Sequence, residues 1–521
     1  MNRQQLIDKL TAAHGDDNSL FDLAIDGGSA TRVYPKSVHR AEGAYLLIGK
    51  VGYAKYLYLI SVEKKAGLLD RFEGKNLLND RDLTIKQCEL NHPHAQVLRE
   101  IFSFTRPVLI GIDNSFGYGD RLGLANPAHV RAAMESTMKP ILAQQSIREL
   151  QRTARQPEEV MDAATWAVFQ EGYHDGFGSD ADHLKTPEDI DLMVKAGFTM
   201  FTIDPSAFVI NEADSISVDA LVEKARTQPW VQLQDTFENF MRRYENHVIE
   251  VAPDFTLRPS REQILRGVVK YGGVIAHTAK LYSYLETTYP DHPREVEVSV
   301  DETESVTSPF EHVLVASELR RLGVTLVSLA PRFVGDFEKG IDFKGDLKLF
   351  KIEYTKHLKI SEKFGPYKLS VHSGSDKFSA YQAIGSIKDG RVHVKTAGTS
   401  YLEALRTIAK ANPVLFREIY DFSRAHYETE KKTYHVSAEL QKATPSSQLA
   451  DSELLGLFDQ NDARQVLHVC FGKVLTTKES SGEYLFRKRI VQCLQANEET
   501  HYTFLLNHFR KHLRPFAGLE G

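Results

Sequence analysis

Cysteine is scarce in this chain of 521 residues: the three present, Cys88, Cys470 and Cys493, lie far apart and form no CxxC pair. That spacing excludes a disulfide framework and a zinc knuckle, and it fits a reducing cytoplasm. Long apolar runs are missing as well. No stretch approaches the roughly 18 uninterrupted apolar residues of a membrane span, and Met1-Asn2-Arg3-Gln4-Gln5-Leu6-Ile7-Asp8-Lys9 holds no apolar signal core. Nor is there a basic face. The net charge is −6 with both signs interspersed, which gives nucleic-acid binding little support. P-loop and HExxH motifs are absent. Gly117-Tyr118-Gly119-Asp120-Arg121-Leu122-Gly123 reads GxGxxxG, its third glycine one residue late, and Ala125-Asn126-Pro127 interrupts the helix a dinucleotide fingerprint requires. A soluble cytoplasmic protein is expected, without nicotinamide, membrane or nucleic-acid partner; oligomerisation is left open.

What the chain does have is an ordinary apolar content, 42%, enough for a large core. Four β-branched runs each end on polar groups that bind metals or move protons. Val108-Leu109-Ile110-Gly111-Ile112 stops at Asp113-Asn114-Ser115, and Val296-Glu297-Val298-Ser299-Val300 stops at Asp301-Glu302. Tyr367-Lys368-Leu369-Ser370-Val371 stops at His372-Ser373, and Arg391-Val392-His393-Val394 at Lys395-Thr396. Function in α/β proteins gathers at the carboxyl ends of strands, where loops vary without disturbing the core.

The alternation of elements gives the architecture. Strands are expected over 108–112, 198–203, 295–300, 324–329, 367–371 and 392–394. Helices are expected from Pro127, with Val130, Ala133, Met134, Met138 and Leu142 near a 3.6 spacing, and from Pro157, Thr186, Pro309, Asp346, Ser375 and Ser400. Such alternation predicts an α/β protein whose most frequent closed form is the (β/α)8 TIM barrel. The predicted organisation is an amino-terminal elaboration over 1–107, with a strand-like Tyr56-Leu57-Tyr58-Leu59-Ile60-Ser61-Val62. The barrel follows over 108–435, with a helical insertion over about 219–289 in which Ser260 is an N-cap, and then a helical region over 436–521.

Several clusters suit chemistry, each with a plainer reading beside it. Asp180-Ala181-Asp182-His183-Leu184-Lys185 reads as a glycine-flanked loop holding a carboxylate beside an imidazole; an N-capping aspartate with a solvated histidine is the structural alternative. Asp301-Glu302-Thr303-Glu304 crowds three acids at a strand end, relieved by a cation, by a shared proton or simply by solvent. His372-Ser373-Gly374-Ser375 ends an apolar strand, with Ser375 also placed to cap a helix. His393 lies inside its strand, where a lone histidine is more often a core residue, and His129 and His312 sit at helix starts. The cations Arg121, Lys185, Arg332, Lys377 and Lys395 complete the rim. Nitrogen and oxygen donors of this kind hold hard or borderline divalent metals, which polyhydroxy substrates chelate, so sugar or sugar-acid isomer chemistry is expected.

At these residues the chain resembles the tagaturonate epimerase family, whose relatives include tagatose 4-epimerases. The matching stretches are Asp113-Asn114-Ser115-Phe116-Gly117-Tyr118-Gly119-Asp120-Arg121, Asp180 to Thr186, Ser299 to Glu304, Ser328-Leu329-Ala330-Pro331-Arg332-Phe333, His372 to Lys377, and Lys395-Thr396-Ala397-Gly398-Thr399-Ser400. The resemblance implies a divalent-metal enzyme (zinc, manganese, nickel or cobalt) interconverting tagaturonate and fructuronate. It makes Asp182 and Glu302 the acid/base pair, His183, His372 and His393 the metal ligands, and Ser115 a substrate contact. Arg121, Lys185, Arg332 and Lys377 are expected to bind substrate, with Arg332 or Lys185 at a carboxylate. Tyr118 departs from the phenylalanine expected there. The alternatives are a metal-dependent aldose-ketose isomerase and a non-catalytic sugar-binding barrel.

Overall fold

Eight parallel strands close into a barrel in chain order: β1 Ser115–Tyr118, β2 Lys139–Ser146, β3 Gly178–Leu184, β4 Met200–Ile203, β5 Glu295–Val300, β6 Ser328–Pro331, β7 Lys368–Val371 and β8 Val392–Thr396. The last returns to the first in the register His393 to Ser115 and Lys395 to Gly117. This computed structural model describes residues 3–12, 19–23, 31–61, 67–79, 83–387 and 390–518. The expected (β/α) barrel is the observed fold. Met1, Asn2 and Val62 lie outside the described residues.

The period of two in β5 shows why the interior is polar. Val296, Val298 and Val300 point outward into the apolar layer beneath the helices, which sends Glu295, Glu297 and Ser299 inward. The helices start where their caps say. Thr186 accepts from the Asp189 N–H to open Pro187–Lys195, Ser308 caps Pro309–Arg321, and Asp346 caps Leu347–Phe364.

Four expected elements are corrected. Val108 to Ile112 is not a strand but crosses the amino-terminal end of the barrel. There Ile110 packs against Ile141, Met200 and Val327, and Ile110 and Gly111 donate their N–H groups to the Glu295 carboxylate. A barrel floor needs apolar residues just as a strand does, and composition alone does not separate the two. The helix near Pro127 spans only Asn126–Ala133, and Met138 and Leu142 belong instead to the end of a loop and to β2. Residues 180–185 are not a loop, because Asp180 to Leu184 lie in β3. β6 begins at Ser328 rather than at 324. The inward faces of β2 and β3 are polar, so neither strand offered an apolar run.

Around the barrel, an antiparallel sheet centred on Ala44–Val51 and Ala54–Ser61 packs against Trp166 and Phe169 of the helix Pro157–Glu171. Helices Val218–Arg226, Phe237–Tyr244 and Arg261–Thr288 form the insertion, together with an unforeseen hairpin, Ile249–Ala252 with Phe255–Leu257. The carboxyl-terminal helix Glu498–Leu513 packs on Asn126–Ala133 and Thr399–Ala411 and receives Lys50 and Lys55 of the amino-terminal sheet on Glu498. Among the described residues no helix is long and apolar enough to cross a membrane.

Candidate active site

The barrel interior is layered by charge. Lowest lie Ser115, Lys368 and His393, all fully buried: Lys368 Nζ donates to Ser115 Oγ at 3.0 Å, and His393 Nδ1 lies 3.0 Å from the same oxygen. Burial pushes the Lys368 amine down to about 8 and the His393 imidazole well below its ordinary value. Above them Lys395 Nζ sits 2.8 Å from each of Asp180, Asp182 and Glu297 and donates to Thr202 Oγ1 at 2.6 Å. One ammonium does not neutralise three carboxylates. Asp180 is the one pushed up, to about 6, by burial beside Asp182 and Glu297. Burial also opposes ionisation of Glu297, but Lys395 and His372 outweigh it and hold that carboxyl well below its usual range.

The top layer forms the mouth. Successive strand residues point to opposite faces, yet Asp182 and His183 both reach this layer. The pairing of β3 with β4 slips between Ala181 and Leu184, and His183 adopts the left-handed φ of 56°. His183 Nδ1 is then 3.1 Å from Asp204 Oδ2, just past β4, and Nε2 is 3.7 Å from Asp182 Oδ1. His372, after β7, sets Nε2 2.7 Å from Glu297 and Nδ1 3.3 Å from Asp301, its ring 5.2 Å from that of His183. Burial would lower the His372 imidazole, but the Asp301 charge dominates and raises it to about 10. In return, burial of Asp301 is outweighed by His372, and its carboxyl falls to about 2.

Among the described residues, two groups of side chains gather as metal donors do. His183, Asp204 and Glu302 each offer an atom with all three atoms within 4.8 Å of one another, a mixed nitrogen and oxygen set that suits a borderline divalent cation. Asp376, His508 and His512 form the other, and it is already satisfied. Asp376 is paired with Arg464 and His508, each at 2.6 Å, while His512 Nε2 accepts from the Asp376 N–H at 3.0 Å and Nδ1 faces the His508 carbonyl at 3.1 Å.

The structure thus brings Asp182, His183, Glu302 and His372 to one mouth and leaves Ser115 and His393 a layer beneath it. Of the expected binding cations, Lys185 is half-exposed and 3.2 Å from Asp204, and Arg332 donates to the Thr303 carbonyl. Arg121 bonds Glu149 at 3.0 Å and stacks on Phe471. Lys377 is turned away into three backbone carbonyls, those of Glu338, Ile341 and Ser375. Sequence reasoning passed over Asp204, although it ends an apolar strand as Asp301 does, and it passed over Arg148, Lys339 and His468, which no strand-end pattern marks. The mouth holds two adjoining cavities, about 250 and 50 Å³, sharing Arg148, His183, Lys339, His372, Ser373 and Tyr434. A larger cavity of about 670 Å³ lies between the amino-terminal sheet and the carboxyl-terminal helices and contains none of the strand-end groups.

The sequence profile of the tagaturonate epimerase family matches residues 34–516. The tagaturonate/fructuronate epimerase of Thermotoga maritima is 42% identical over 500 residues, 94% of this chain and 98% of that protein. A glycerol-complexed crystal structure of fructuronate-tagaturonate epimerase UxaE from Cohnella laeviribosi superposes with a TM-score of 0.87 at 38% identity, covering 98% of this chain and 99% of that one. The native crystal structure of the same enzyme gives 0.86 at 37% identity, with the same coverage of each chain. With the barrel, its mouth and these matches agreeing over nearly the whole length, the chain belongs to the tagaturonate epimerase family and is an isomerase.

Proposed function

We propose that this enzyme interconverts D-tagaturonate and D-fructuronate by inverting C4, with a divalent cation held by His183, Asp204 and Glu302. The observation that carries the reading is the convergence of these three donors beside Asp182 and His372 at one end of a family-matched barrel. The cation would supply Lewis-acid polarisation of the substrate's oxygens. Its three free cysteines suit a cytoplasmic setting.

The chain's own groups handle the protons. Asp182 stays ionised because His183 and Lys395 outweigh its burial, so it is a carboxylate ready to accept a proton at the mouth. Glu302, exposed in the loop after β5, returns one. Inversion at C4 proceeds either by removing and replacing the carbon-bound proton from opposite faces or by breaking and remaking the adjoining carbon-carbon bond. Turnover in deuterium oxide separates them, since label at C4 requires the first route.

The function is tested by incubating purified enzyme with fructuronate and following tagaturonate by NMR. Asp182→Asn is expected to lose at least about 100-fold in kcat. Glu302→Gln separates that residue's two roles: bound metal falls if it is a ligand, and kcat alone falls if it only moves protons. Activity should vanish with a chelator and return ion by ion. An aldose as product would favour the aldose-ketose isomerase, and wild-type turnover by Asp182→Asn would favour a non-catalytic barrel.

A further inference from the structure

The mouth is electrically lopsided. Carboxylates Asp182, Asp204, Asp301 and Glu302 crowd the ends of β3, β4 and β5. Across the shared space stand two cations that, among the described residues, have no carboxylate partner. Arg148, in the first turn after β2, is exposed, makes no hydrogen bond or ion pair there, and rests 5.7 Å over the Tyr434 ring. Lys339, in the loop after β6, donates among the described residues only to the neutral Ser373 hydroxyl, at 2.6 Å. Other cations at the mouth are committed: Lys395 to three carboxylates, Arg121 to Glu149, Lys185 to Asp204 and Arg332 to the Thr303 carbonyl. Burial and the neighbouring Arg148 charge both lower the Lys339 amine, a repulsion that an anion between the two would relieve.

A third observation points the same way. His468, from the carboxyl-terminal helical region, is 1% exposed and lines the inner cavity, yet among the described residues neither ring nitrogen has a hydrogen-bond partner. Buried polar atoms are nearly always satisfied, so an orphan pair beside a cavity implies a group that enters it. Backbone on both sides fixes the ring. A methyl group on Gly398 would stand 1.9 Å from His468 Cε1, and one on Gly340 3.0 Å from Nδ1.

We infer that Arg148 and Lys339, with His468 deeper in the pocket, receive the carboxylate of a sugar acid, and that this subsite sets the preference for ketouronate over neutral ketohexose. The inference rests on the epimerase reading and adds direction to it: the carboxylate end of the substrate lies under Tyr434, and the ketone and hydroxyls face the acidic wall. Charge-assisted contacts to a planar carboxylate are the strong kind, and Arg148 and Lys339 supply a guanidinium fork and a point charge.

The test compares fructuronate with tagatose on metal-supplemented enzyme. Arg148→Met and Lys339→Met are each expected to raise KM for fructuronate about 10- to 100-fold with a smaller change in kcat. The ratio of kcat/KM for uronate over neutral sugar should collapse toward one, and Lys339→Arg should restore most of it. Calorimetric titration with a non-reacting aldonate reads the same subsite without turnover, its affinity falling by a similar factor while the melting temperature holds. A wild-type enzyme that turns over fructuronate, with variants whose ratio and aldonate affinity are unchanged, overturns the subsite alone. A wild-type enzyme that binds the aldonate through Arg148 but leaves fructuronate unreacted overturns the epimerase reading and keeps the subsite.

Discussion

Replacing Lys395 with methionine asks what holds the barrel interior together. Its ammonium lies 2.8 Å from Asp180, Asp182 and Glu297, and Coulomb's law at an effective dielectric near 20 gives roughly 6 kcal/mol for each such contact. Most of that is offset by desolvating four charges. The measurable quantity is the penalty of stranding the carboxylates, about 3–5 kcal/mol when a buried pair loses one partner. The deficit must also depend on pH. In the wild type Glu297 is held below its ordinary value, so its contribution is present above about pH 4.5 and is lost as pH falls. In the variant the stranded carboxyls rise instead, and acid relieves them by protonation. Lys395 lowers Asp180 in the wild type, so without it Asp180 takes up its proton above about 6 and the gap narrows from neutral pH downward, whereas the wild-type loss at Glu297 begins only below about pH 4.5. Urea unfolding of both proteins from pH 8 to 5 should show a deficit of about 3–5 kcal/mol that narrows on acidification. A deficit below about 1 kcal/mol, or one that widens toward pH 5, would refute the interior ion network.

Gly398→Ala drives a methyl group to within 1.9 Å of His468 Cε1, so thermal melts should show a loss of about 1–3 kcal/mol, with fructuronate affinity reduced as the ring is displaced. Ile110→Ala opens the barrel floor between Ile141, Met200 and Val327 and should cost about 2–4 kcal/mol in urea unfolding, with kcat little changed because the site is at the opposite end. Glu338 accepts from Ser437, Gln465 and Lys344, and these bonds outweigh burial and hold its carboxyl at about 2. Its stabilisation is therefore whole above about pH 4.5 and fades toward 2. Glu338→Gln should be less stable than wild type at pH 6 by roughly 1–2 kcal/mol, a margin that shrinks in acid titrations followed by circular dichroism.

The residues explain which parts of this architecture were legible. β5 was readable to the residue because Val296, Val298 and Val300 meet helices while the alternate positions face inward, which leaves a period-two signature in the text. β3 was not: Gly178-Ser179-Asp180-Ala181-Asp182-His183-Leu184 spends its inward positions on the ion network, and a strand of acids reads as a loop. The floor-crossing run failed in the opposite sense, being strand-like in composition while Val108, Leu109 and Ile112 stay exposed. At the site, strand-end acids and histidines were visible because strand ends carry their own grammar. Arg148 and Lys339 were not, since a cation without a partner is recognisable only once every neighbour's partners are known.

The carboxyl-terminal helices are part of the site's construction rather than an addition to it. The loop after β7 runs through two left-handed non-glycine residues, Ser373 at φ 53° and Asp376 at φ 65°. Such conformations persist only where the surroundings over-determine them. Here the surroundings come from far along the chain: Arg464 and His508 grip the Asp376 carboxylate, and His512 accepts its backbone N–H. Ser373, fixed by that loop, in turn receives Lys339. The same helical region brings His468 to the inner cavity, and Tyr434 beneath Arg148 lies just before it. Folding of the last eighty or so residues therefore decides where the unpaired cations stand, although every acid at the mouth comes from the barrel.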